Sequence, residues 1–250
     1  MAFDAARQRV VLFGPGTWER DGTTWLQRQP AASPPLRTGH AMEYDASRQR
    51  VVLFGGDSNG WLSDCWEWDG TTWAQRSPAA SPPARSGHAL AWDAVRQRTV
   101  LFGGLAWPPF ADTWEWDGTT WTTAAPAAAP PASIGHALAW DATREEVVLF
   151  TGGETWMWNG LAWSQRRPSA SPPVRSYHAM AWDAARQRVV LFGGVDTAWV
   201  PLADTWEWDG TTWAPRSPAT SPPARSRHAM SYDAARGRVV LFGGDAGNID

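Results

Sequence analysis

The chain has 250 residues, with 22 Lys and Arg against 25 Asp and Glu, and its net charge of −3 is spread in mixed sign along the whole length. That balance excludes a strongly basic nucleic-acid or anionic-membrane binder, and no apolar run reaches membrane-spanning length. A lone cysteine, Cys65, excludes an internal disulfide, while 43% hydrophobic residues and 20 tryptophans suffice for the core of one large all-β domain.

In chain order, Met1–Asp4 matches the end of a segment that returns later as HAMEYD, HALAWD, HAMAWD and HAMSYD. The chain therefore starts inside a repeat. The histidines fall at His40, His88, His136, His178 and His228, spaced by 48, 48, 42 and 50, each with an aspartate five residues on. The fullest unit, Arg175 to Pro218, gives four strands: HAMAWD, RVVLFGG, DTWEW and TTWAPR. In the first of these, large and small residues alternate, so one face is bulky and the other small. VVLF is continuously apolar and reads as a strand buried on both sides. Gly-Gly then frees the backbone for a sharp exit. The DAARQR turn begins with an aspartate that can bond its own backbone, and Gly237 in its last copy implies a left-handed residue there. A two-residue Asp-Gly turn closes the last hairpin and pairs Trp206 with Trp213 and Trp208 with Thr211.

Four strands at such a period define a propeller blade. The expectation is one β-propeller domain over 1–250, with units at about 1–30, 38–78, 86–126, 134–168, 176–218 and a partial 226–250, joined by stiff SPPAR-type linkers. It has five blades and an incomplete sixth. A six-position ring is preferred to a five-blade ring, because the first unit keeps its own second strand. The half-built blade leaves Val239 to Phe242 as an apolar edge, so self-association or marginal stability is expected.

The apolar strand with Gly-Gly, the spaced aromatics WEWDGTTW and the SPPARSGHA lead into each next unit resemble kelch repeats, over essentially the whole chain. The pattern resembles kelch propellers of bacterial type and is similar to the central-domain propeller of galactose oxidase. The resemblance implies blades with the first strand innermost, and a binding module more often than an enzyme. The Asp-Gly-Thr-Thr turn is shorter than the usual kelch connection, and the last unit lacks its outer strands. A copper-radical site is not supported: only Tyr44, Tyr177 and Tyr232 are present, and Cys65 precedes Trp66 inside a third strand.

Counting strands puts the linkers and the loops between second and third strands at one end of the blades. Three of those loops are long: Asp57 to Ser63, Leu105 to Ala111 and Val195 to Ala203. They carry Trp61, Trp107 with Phe110, and Trp199, which break the repeat, so blade packing does not account for them. The repeated tryptophans, by contrast, read as packing. At the same end stand Arg37, Arg85, Arg175 and Arg225, which the resemblance places around the channel as donors for carboxylates or a polar peptide. The alternative is that each arginine pairs with an aspartate or backbone of a neighbouring blade. Tyr177 and Arg227 replace the glycine found before the other histidines. One histidine per blade reads as hydrogen bonding between blades rather than as a metal site, and no catalytic motif, cofactor or metal is called for.

The expected function is a non-enzymatic scaffold that binds a protein, peptide or glycan through the long-loop face. A carbohydrate-binding or sugar-processing propeller is the first alternative, and a structural piece of a larger repeat protein the second. No secretory leader is recognisable; a secreted or cell-surface bacterial setting fits, without being specified.

Overall fold

A computed structural model describes residues 1–246 and is all-β among them. The last four residues of the expected sixth unit lie outside the described residues. Blade one is Ala2–Asp4, Arg9–Gly14, Gly16–Arg20 and Trp25–Arg28. Blade two is Ala41–Asp45, Arg50–Asp57, Trp61–Trp68 and Trp73–Arg76. Blade three is Ala89–Asp93, Arg98–Gly104, Phe110–Trp116 and Trp121–Ala124. Blade four is Ala137–Asp141, Glu146–Thr151, Glu154–Trp158 and Trp163–Arg166. Blade five is Ala179–Asp183, Arg188–Phe192, Thr205–Trp208 and Trp213–Arg216. The sixth position holds only Ala229–Asp233 and Arg238–Phe242.

The alternation of large and small residues becomes the packing between blades. The small face of blade four, Ala137, Ala139, Val148 and Phe150, meets the bulky face of blade five, Met180, Leu191, Trp208 and Trp213. In blades one to four the second-strand phenylalanine is then held edge-on by the histidine and a tryptophan of the next blade. The sets are Phe13 with His40 and Trp73, Phe54 with His88 and Trp121, Phe102 with His136 and Trp163, and Phe150 with His178 and Trp213. Such edge-on aromatic contacts add about 0.5–1.5 kcal/mol beyond burial. Six indole N–H groups are satisfied across the same interfaces, whereas those of Trp121 and Trp208 are buried without a partner. Trp73, Trp163 and Trp213 donate to Thr17, Thr113 and Thr155 at 2.8–2.9 Å. Trp68, Trp116 and Trp158 donate to Glu19, Glu67 and Glu115 at 3.0–3.2 Å.

The ring closes on six positions. The first strand of the sixth blade packs against that of blade one. Phe242 meets Trp25 at 5.1 Å, repeating the contact seen at the other interfaces. Arg236 bonds the Asp21 carbonyl and lies over Gly22, as Arg7, Arg48, Arg96 and Arg144 lie over the Asp-Gly or Asn-Gly turn of their following blades.

The hairpin register differs from the sequence expectation. Trp208 pairs with Trp213 and Trp206 with Pro215, and Trp68–Trp73, Trp116–Trp121 and Trp158–Trp163 pair alike. The turn spans four residues, because the Asp209 carboxylate accepts both the Thr211 and Thr212 N–H groups at 2.8 and 2.9 Å. An aspartate that bonds its own backbone sets a wider loop than Asp-Gly alone implies. The two paired rings sit 5.5 Å apart.

Candidate functional site

The linkers and long loops do share one end. Thr38, Ser86, Ser176 and Ser226 form backbone bridges to Asp57, Leu105, Val195 and Asp245, the residues just after each Gly-Gly. The close approach explains the second glycine: a Cβ on Gly194 would stand 2.6 Å from the Ser176 carbonyl.

Inside this end the residues before the histidines form a backbone chain around the channel mouth. Gly87 N–H donates to Gly39, Gly135 to Gly87, Tyr177 to Gly135 and Arg227 to Tyr177, at 2.5–3.1 Å. All five have left-handed φ, between 57° and 65°. Glycine takes that conformation freely, whereas Tyr177 and Arg227 adopt it at a cost of about 1–3 kcal/mol each. Trp199, on the longest loop, is left-handed as well, at φ 63°. These residues gather into one cluster. The Trp199 and Tyr177 rings lie 6.0 Å apart at 33°, and the Arg227 guanidinium sits 4.7 Å above the Tyr177 ring. Arg227 also pairs with Asp245 at 3.0 Å. Trp199 keeps 60% of its surface exposed.

The arginines behave otherwise than a ligand-facing ring requires. Arg37, Arg85 and Arg175 are buried and form bidentate pairs with Asp64 and Asp112, in the third strand of the same blade, and with Asp204, just before that strand in blade five. Each also donates to a linker proline carbonyl and to the first glycine of Gly-Gly. Arginine's planar fork matches these fixed acceptors, and four of its five N–H donors are taken up in pinning the linker to its own blade. Blade four replaces both members of the pair: Ser133 bonds Thr151, and Glu154 accepts the Trp156 indole. Arg225 keeps the two carbonyl contacts, at 2.9 and 3.0 Å, and remains half exposed.

The remaining expected residues divide. Trp61 is half-buried and opens the third strand of blade two, opposite Asp57, so the first long loop is a hairpin with its tip at Ser58–Gly60. Phe110 likewise opens the third strand of blade three, and the Arg85 guanidinium covers it at 3.9 Å. Trp107 stands 82% exposed. Among the described residues no ring stacking or cation–π contact joins Trp61 or Trp107 to the Tyr177 cluster.

Below the mouth the channel encloses about 260 Å³, and Trp92, Trp140, Trp182 and Tyr232 contribute to its wall. Glu43 also lines it, and this residue escaped the sequence reading. The signal was present, because Glu43 stands where the other blades have Ala2, Ala91, Ala139, Ala181 and Ser231. Desolvation pushes its pKa up to about 7, against the opposing Tyr44 N–H and the Met1 amine. The histidines lie between blades, as expected, but the hydrogen bond expected there is made by His136, whereas both ring nitrogens of His88, His178 and His228 have no partner. Burial lowers His40 and His178 to about 3 and His136 and His228 to about 4, and takes His88 well below its ordinary value. Their contact with the neighbouring blade is aromatic in every copy, and His136 adds a 2.9 Å bond to the Phe102 carbonyl. Among the described residues no cluster of three His, Cys, Asp or Glu side chains could hold a metal ion.

The fold and this rim define a β-propeller with five four-stranded blades and a two-stranded sixth. No protein-family model matches the chain, and no curated protein matches it.

Proposed function

We propose that this chain is a kelch-like propeller that acts as a non-enzymatic scaffold and binds a partner protein or peptide on its long-loop face. The observation that carries the proposal is the group Tyr177, Trp199 and Arg227. Three non-glycine residues in left-handed conformations meet at an exposed channel rim. Strain of that kind persists where the surroundings over-determine it, and it concentrates at ligand-contacting sites. Aromatic and arginine side chains dominate binding energy at protein interfaces. Of the arginine ring expected from the sequence only Arg225 stays free of an aspartate among the described residues, because Arg37, Arg85 and Arg175 are committed to theirs, and Arg227, outside that ring, joins it at the rim.

A glycan ligand is the second reading. It rests on the exposed indoles of Trp107 and Trp199, flat apolar faces of the kind that sugar rings stack upon. Peptide phage display and a glycan array, both run on the intact chain, separate the two. Peptide selection lost in Trp199→Ala and Tyr177→Gly, with the melting temperature kept, supports the first reading. Glycan hits that depend on Trp107 favour the second. Binding that survives both substitutions but fails in the folded His88→Leu variant refutes the long-loop assignment.

A further inference from the structure

We infer that the gap at the sixth position is a socket for a tryptophan-bearing β-hairpin of the chain's own third-and-fourth-strand type, Asp-Thr-Trp-Glu-Trp-Asp-Gly-Thr-Thr-Trp. Among the described residues nothing occupies the third and fourth strand positions of blade six. A groove of about 620 Å³ lies there, on the small face of blade five.

The other interfaces show what each wall of the groove is built to receive. On blade five, Thr205 and Glu207 occupy the positions from which Thr155 and Glu67 accept indole N–H bonds from the next blade. No indole reaches Thr205 or Glu207. Phe192 meets His228 but lacks the tryptophan that Phe13, Phe54, Phe102 and Phe150 each have. Arg186 is the one turn arginine of its series without a following Asp-Gly turn beneath it. It stays 54% exposed, against 27–34% for Arg7, Arg48, Arg96, Arg144 and Arg236.

The opposite wall is complementary. Trp25 of blade one is half-buried, whereas its counterparts Trp73, Trp121, Trp163 and Trp213 are closed in. Arg20 stands beside it where blades two to five carry Trp68, Trp116, Trp158 and Trp208. A docked hairpin presents its small face here. Its threonine would then accept from Trp25, and its glutamate would meet a cation, Arg20, rather than an indole. The floor is the Arg238–Phe242 strand, which pairs only on its inner side and offers its outer edge to a third strand. At the upper end, Arg225 lacks the carboxylate that Arg37, Arg85 and Arg175 hold. The aspartate that opens the hairpin falls at that position.

The socket thus specifies an acid at the start, two indole donors on one face, a glutamate on the other and an Asp-Gly turn under Arg186. The probe is a synthetic peptide copying Ala203–Pro218, labelled for anisotropy. The control peptide has alanine at the counterparts of Trp208 and Trp213. We expect saturable binding by the first, at least tenfold weaker binding by the second, and a rise of several degrees in melting temperature. Isolated two-stranded hairpins are marginal in water, so a second arm appends the same sequence after Asp250. That fusion should melt higher, remain monomeric by light scattering and no longer bind the free peptide. If the unmodified chain self-associates through the gap, the peptide should disperse it. A fusion that melts no higher and still binds peptide as the unmodified chain does, or self-association that neither peptide nor fusion relieves, overturns the inference.

Discussion

Replacing Glu67 with methionine tests how the blades are held together, and blade four supplies the internal control. Glu67 is buried and accepts from the Trp116 indole at 3.2 Å, from Arg76 Nε at 2.7 Å and from Arg48. Blade four carries Met157 at this position, so methionine fits the volume. The substitution leaves the Trp116 N–H buried without an acceptor, which costs about 1–3 kcal/mol. The side chains of Arg48 and Arg76 are 27% and 43% exposed, and Arg48 keeps its pair with Asp45 when the Glu67 carboxylate goes. Their charge-assisted bonds are therefore discounted to about 1 kcal/mol. The sum is about 3 kcal/mol, or about 6–12 °C in melting temperature for a chain of this size. Urea unfolding followed by tryptophan fluorescence reads the midpoint. A double-mutant cycle with Trp116→Phe should show coupling of at least about 0.5 kcal/mol, since the two groups share one bond. The reverse change, Met157→Glu, places an acceptor beside the unpaired Trp208 indole, between Arg144 and Arg166, and should raise the midpoint. A loss below about 1 kcal/mol in Glu67→Met, with no coupling to Trp116, would mean that the blades are held by apolar area alone.

Two further outcomes concern pH. Glu43 has its folded pKa raised to about 7 from 4.5, so it favours the folded state below pH 4.5 and that contribution is lost as pH rises through 7. Glu43→Ala should remove up to roughly 3 kcal/mol of destabilisation at pH 8 relative to pH 4.5, read from urea midpoints at the two pH values. The histidines carry the opposite sign. Their lowered pKa values give stability that is complete above pH 6.5 and lost as pH falls toward 3–4. His178→Leu should therefore flatten the stability–pH slope between pH 6 and 4 by about 1.4 kcal/mol per unit. An unchanged slope would mean that the ring is already solvated.

The sequence by itself determined the blade. Period-two alternation in HAMAWD and an unbroken VVLF run leave one arrangement, a sheet stacked between two others, and Ala139 against Met180 in the blade four–five interface is that alternation made physical. Repetition also determined that the recurring tryptophans and histidines are packing groups, because a residue required once per blade answers to the neighbouring blade. What repetition could not determine is which copies are left unanswered. The pairing of Arg85 with Asp112 spans 27 residues and depends on the linker folding back over its own blade, a distance that no local pattern encodes. The hairpin register turned on whether Asp209 bonds its own backbone, a choice of a few hydrogen bonds that shifts every pair in the hairpin. The meeting of Tyr177, Trp199 and Arg227 needs three separate segments brought to one rim, and the empty positions at Thr205, Glu207, Phe192 and Arg225 exist only because the ring closes on six. Local propensity and periodicity write the unit, whereas closure of the ring decides which surfaces remain for a partner.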